Sequence, residues 1–148
     1  MSIRRAGLRA LPPETLYLIP VESDAEVPAD LALRVRRQPA YVLATVAGEV
    51  DIATVAQFRE RLRALATGGR ALVVDLDQVS FIDAAGLGVL AGLAGLVAAH
   101  GASLRVVCAR PQIRRLFGFT GLDRSIPLDR TLTEALQAVE ASPEGRVS

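Results

Sequence analysis

The stretch whose reading decides the fold runs from Val73 to Leu90: V-V-D-L-D-Q-V-S-F-I-D-A-A-G-L-G-V-L. Its first residues complete a continuous apolar run, Ala71-Leu72-Val73-Val74, the pattern of a strand covered on both faces. Asp77-Gln78 predicts a turn, Val79 to Ile82 an extended segment, and Asp83 the N-cap of a helix. A short carboxylate at that place accepts a hydrogen bond from a free first-turn N–H. The helix continues to about His100, and Gly101 stops it. A buried strand leading into a helix is the repeating unit of a parallel sheet with right-handed crossovers.

Working outward, Leu31, Leu33 and Val35 alternate with Ala32, Arg34 and Arg36, the period of a half-exposed strand. Tyr41 to Val46 is a second strand, and the turn Arg37 to Ala40 makes the two an antiparallel hairpin. Asp51 predicts the N-cap of a helix from Ile52 to Ala66, with Val55, Phe58, Leu62 and Leu65 on one stripe. Downstream, Ser103 to Cys108 is another buried strand. Pro111 starts a short helix that carries Ile113, Leu116 and Phe117 and ends near Gly118. Ser125 to Leu128 is a short edge strand, and Thr131 with Glu134 forms the capping box of the last helix. The expected architecture is α/β, in the order ββαβαβαβα. It has a mixed, mostly parallel sheet of four to five strands and about four helices. The domain spans residues 31–140. Residues 1–30 form a partly flexible N-terminal extension in which Leu16 to Ile19 makes one short strand, and residues 141–148 form a flexible tail.

Composition removes whole classes of chemistry. The 148 residues carry a net charge of +1, with 17 arginines and no lysine. No Walker-type or Schiff-base lysine exists, and no global field draws the chain to nucleic acid or an anionic membrane. A single His (His100) and a single Cys (Cys108) exclude a zinc cage and an internal disulfide. Six aromatic residues and no Trp leave little for base stacking. The start carries Arg4, Arg5 and Arg9 without an apolar run, so no secretory signal is expected. The run Ala84 to Ala99 is too short to span a membrane. A cytoplasmic protein without metal or cofactor is the expectation.

The D-x-x-G-L-G core from Asp83 to Gly88 lies between Gly48-Glu49-Val50-Asp51 upstream and Phe119-Thr120-Gly121-Leu122-Asp123 downstream. Over about residues 31–140, this combination resembles the STAS domain, the fold shared by bacterial anti-sigma factor antagonists and sulphate transporter tails. The resemblance implies a non-enzymatic regulator that binds an anti-sigma factor, an ATPase-fold protein with kinase activity. In that family the residue after the helix-start Asp is usually a Ser or Thr. The partner phosphorylates it, and the phosphorylated form lets go. The matching position here is Ala84, followed by Ala85, and neither has a hydroxyl. The switch therefore cannot run through that position. A helix N-terminus tolerates a phosphate within its own chain. Across an apolar contact the same dianion is costly to desolvate. Ala84 leaves the surface permanently neutral. Ser80 carries a structural hydroxyl on this reading.

The expected partner surface comprises Asp51, Asp83, Ala84, Ala85, Gly86 and Leu87, with Leu93 and Leu96 farther along the helix. From Ala84 to Ala99 that helix has no polar side chain. Leu87, Leu90, Ala94 and Val97 make a core stripe, whereas Val89, Leu93 and Leu96 fall off it. The off-stripe residues predict a dry contact for an anti-sigma factor or for a second copy across helix 84–100. Close approach by another element would offset the cost of its glycines. An alternative within the same fold is a stand-alone scaffold subunit, for example in a lipid-transport ATPase system. A nucleotide-binding enzyme rests only on Gly86-x-Gly88, where Asp83 would repel a phosphate. Asp75 and Asp83 lack the further oxygens that magnesium requires. Arg110, Arg114 and Arg115 cluster around a short helix as a solvated face or a patch for an acidic partner.

Overall fold

The computed structural model describes residues 15–18 and 31–141. The expectations for the rest of the extension and for the tail beyond Ala141 lie outside the described residues. Six strands form one sheet in sequence order: β1 (Thr15–Leu18), β2 (Leu31–Arg37), β3 (Tyr41–Val50), β4 (Ala71–Ile82), β5 (Leu104–Val107) and β6 (Leu128–Asp129). β1 and β3 both run antiparallel to β2, and β3 through β6 are parallel neighbours. Among the described residues the α-helices are α1 (Val55–Ala66), α2 (Ala84–Ala99), α3 (Pro111–Thr120) and α4 (Leu132–Ala141). From β2 onward the expected order ββαβαβαβα holds, and β1 adds one more strand beside β2.

Two apolar layers explain the arrangement. One sheet face carries Leu33, Val35, Ala44, Val46, Leu72, Val74, Leu76 and Val106, and on it pack Phe58 and Leu62 of α1, Leu90 and Leu93 of α2, and Phe117 of α3. The other face carries Leu43, Val73 and Val107 under Ala135 and Val139 of α4. Alternate residues of β4 therefore feed opposite layers, which is why its sequence shows no polar alternation. No polar or charged residue is buried among the described residues.

Three local expectations need correction. Asp77-Gln78 does not turn: β4 continues through it as one strand of 12 residues, with register shifts against β3. The Asp75 carboxylate accepts the Asp77 N–H at 2.9 Å, so the chain absorbs extra residues as a bulge without reversing. Asp51 does not cap a helix beginning at Ile52. Its carboxylate accepts the N–H groups of Ala53 (2.9 Å) and Thr54 (3.2 Å), holding a turn, and α1 begins at Val55. Finally, α3 runs past Gly118 to Thr120. It stops at Gly121, whose φ of +75° is the left-handed conformation that ends a helix.

Candidate functional site

The carboxyl ends of β3 and β4 meet at the start of α2. Asp83 adopts extended backbone (φ −106°, ψ −174°), and its carboxylate accepts the Gly86 N–H at 3.1 Å, as expected of an N-cap. The Asp83 N–H donates to the Val50 carbonyl at 3.2 Å, tying the helix start to the end of β3. A Cβ on Gly86 would lie 2.7 Å from Ile82 Cγ1 and 2.8 Å from Val50 Cγ1. No real side chain makes contacts that short, so glycine lets the first turn of α2 sit directly on the strand ends. The turn held by Asp51 is locked at the same place. The Asp51 N–H donates to Thr54 Oγ1 at 3.0 Å, and the Thr54 hydroxyl donates to the Glu49 carbonyl at 2.8 Å. Ser80 Oγ donates to the Gly48 carbonyl at 3.4 Å, a strand-to-strand bond.

This geometry divides the expected surface. Ala84 and Ala85 are exposed, and Asp51 and Asp83 are half-buried beside them. Gly86 and Leu87 are buried, and Leu93 is only 1% exposed. Leu96 is half-buried against the core. Leu87 and Leu93 therefore anchor α2 and are not part of a surface, because the helix turns an arc from Leu96 through Val89, Leu93, Leu90 and Leu87 onto the sheet. Among the described residues no element closely approaches Gly88, Gly92 or Gly95. A Cβ on Gly88, Gly92 or Gly95 would meet nothing within 4 Å. The exposed side of α2 consists of Ala84, Ala85, Gly88, Ala91, Gly92, Gly95, Ala98 and Ala99. It is a helix face bearing only methyl groups and hydrogens.

Two residues of this region escaped the sequence reading. Ile52 is 86% exposed and Phe81 is 48% exposed, both at the strand ends that flank the α2 start. The sequence reading places Ile52 in a helix and Phe81 in an extended segment, and neither assignment says which way the side chain faces. The signal for Ile52 was its place directly after Asp51, whose carboxylate favours a turn.

The titratable groups nearby are structural. Burial pushes the Asp75 carboxyl up from its ordinary value; the Asp77 N–H bond partly offsets this, and the neighbouring Asp77 charge adds to it. Burial likewise raises the Cys108 thiol, away from the thiolate a nucleophile needs. His100 caps the end of α2, with Nδ1 3.1 Å from the Leu96 carbonyl. Among the described residues, no group of three His, Cys, Asp or Glu side chains could hold a metal ion. None of their helices is long and apolar enough to cross a membrane.

A sheet in sequence order, helices on both faces and a capped helix start at the ends of two parallel strands define a mixed-sheet α/β module. The STAS domain family matches residues 32–135, and the chain belongs to that family. The anti-sigma-B factor antagonist of Bacillus subtilis (strain 168) is 39% identical over 77 residues, covering 52% of this chain and 71% of that protein. The anti-sigma-B factor antagonist of Staphylococcus aureus (strain NCTC 8325 / PS 47) is 31% identical over 94 residues, covering 63% of this chain and 87% of that one. Among solved structures, an anti-sigma factor antagonist from Mycobacterium paratuberculosis superposes with a TM-score of 0.71 at 31% identity, covering 77% of this chain and 97% of its own.

Proposed function

We propose that this chain is an anti-sigma factor antagonist that binds an anti-sigma factor through the start of α2, with no phosphorylation switch at that site. The observation that carries the reading is the exposed pair Ala84-Ala85 directly after the Asp83 cap. Ile52 and Phe81 supply exposed apolar area at the same end of the sheet. The naming of the B. subtilis, S. aureus and M. paratuberculosis relatives supports the partner class. The action is binding alone: the site offers neither a nucleophile nor an acid–base pair. A methyl at position 84 keeps the contact neutral, where a phosphate would have to be desolvated.

The test is binding to an anti-sigma factor from the same cell, measured by calorimetry. Ala84→Glu should weaken it at least tenfold. The domain should stay folded, because an acidic side chain in a first helical turn suits the helix dipole. Unchanged affinity would refute the placement of the surface. Incubation with the partner and ATP should leave the wild type unmodified, whereas Ala84→Ser should take up phosphate. Stoichiometric phosphate on Ser80 of the wild type would overturn the unswitched reading. Recovery of a transporter ATPase in place of an anti-sigma factor would favour the scaffold alternative.

A further inference from the structure

On the β5–β6 side of the sheet, Ala109, Pro111, Arg114, Arg115 and Arg130 line an open groove of about 300 Å³. Arg114 and Arg115 come from α3, and Arg130 from the step between β6 and α4. None of the lining residues is acidic. Asp77, Asp129 and Glu134 lie next to the lining residues, and each already accepts hydrogen bonds. Asp129 holds Arg105 through bonds of 2.9 and 3.1 Å, Glu134 accepts the Arg130 backbone N–H at 3.1 Å, and Asp77 accepts the Ala109 N–H at 2.8 Å. Arg114 donates one N–H to the Cys108 carbonyl at 2.7 Å, which anchors its guanidinium and leaves other donors on the fork. In a chain of net charge +1, three arginines around one groove are a local concentration of charge.

We infer that this groove binds an acidic stretch of polypeptide on a partner protein. Arg114 and Arg115 are consecutive on a helix and so diverge by roughly 100°. With Arg130 they present three cationic groups along one groove, which carboxylates spaced along a chain can meet one at a time. Each guanidinium fork matches a carboxylate in two-pronged geometry. No aromatic side chain lines the groove to stack on a base. The inference is independent of the anti-sigma factor reading, since it concerns other residues, those that follow the carboxyl ends of β5 and β6.

Fluorescence anisotropy of the full chain with labelled decaglutamate at low salt tests it, with decaglutamine as the uncharged control. Decaglutamate should bind and decaglutamine should not. Each arginine exchanged for Gln should weaken binding about threefold, and Arg114→Gln, Arg115→Gln and Arg130→Gln together about thirtyfold. Arg59, Arg61 and Arg63 are exposed on α1, so their three Gln exchanges remove equal charge away from the groove. Those exchanges should change affinity less than twofold. An equal loss from the α1 exchanges would overturn the proposal, because only net charge would then matter. Displacement of the peptide by an equal concentration of inorganic phosphate or oligothymidylate would also overturn it. Should the triple variant fold poorly by circular dichroism, the exposed single exchanges Arg115→Gln and Arg130→Gln decide: no loss in either refutes the groove.

Discussion

The contact beneath Gly86 gives a prediction whose size and sign both follow from geometry. In Gly86→Ala, the new methyl would sit 2.7 Å from Ile82 Cγ1 and 2.8 Å from Val50 Cγ1. Both neighbours belong to buried, fully packed side chains. Forcing a methyl into such a site costs about 1–3 kcal/mol. Replacing glycine by alanine within a helix returns at most about 1 kcal/mol. With the full return, the expected net loss is about 0–2 kcal/mol. Gly92→Ala is the matched control on the same helix, where the methyl meets nothing within 4 Å. Only the propensity gain remains there, so stability should rise by about 0.5–1 kcal/mol. Urea unfolding reads both. With a slope of about 2 kcal/mol/M, the midpoint should fall by up to about 1 M for Gly86→Ala and rise by about 0.3–0.5 M for Gly92→Ala. Equal shifts in the two variants, or a stabilised Gly86→Ala, would refute the claim that α2 rests on the strand ends through hydrogen atoms alone.

Leu93→Arg should unfold the domain, because a charge would enter a site that is 1% exposed; loss of the far-ultraviolet helix signal checks this, and a folded variant would return Leu93 to the surface. Asp75→Asn tests the raised carboxyl. Its folded pKa lies above the ordinary 3.8, so its favourable contribution is full below that value and is lost as pH rises through the folded one. The stability of the Asn variant relative to wild type, from urea curves, should therefore improve on going from pH 4 to neutral pH. Breaking the two-pronged Arg105–Asp129 pair, with both side chains partly shielded, should cost about 1 kcal/mol in a double-mutant cycle. That coupling should shrink in high salt.

Much of the fold was legible because polarity and punctuation agreed. Asp83 was placed as a cap by its position before an uncharged run, and it caps. Pro111 opens α3, and the Glu134 N–H donates to Thr131 Oγ1 at 3.1 Å, as a capping box requires. What polarity could not supply was the direction of α2. Every position from Ala84 to Ala99 is apolar, so a stripe drawn from hydrophobicity has no opposing face to fix it. The useful contrast there is volume: Leu87, Val89, Leu90, Leu93 and Val97 turn inward, and the exposed arc holds Ala and Gly only. Leu87 falls on the core stripe as expected, whereas Leu93 falls off a stripe drawn without that criterion and is nonetheless buried. The bulge in β4 was missed for a related reason, since Asp-Gln looks the same in a turn and in a strand that takes up extra residues. Arg130 was not grouped with Arg114 and Arg115 because only the β5–β6 pairing brings their elements together.

The bare outer face of α2 has a thermodynamic consequence for whatever settles on it. Ala and Gly have no side-chain rotamers to freeze, so covering this face adds no side-chain entropy loss from this protein. The backbone can be approached to nearly the radius of the helix cylinder itself. Such a surface carries no lock-specific chemistry of its own. Recognition there is by contour, and the discriminating side chains must be brought by the visitor.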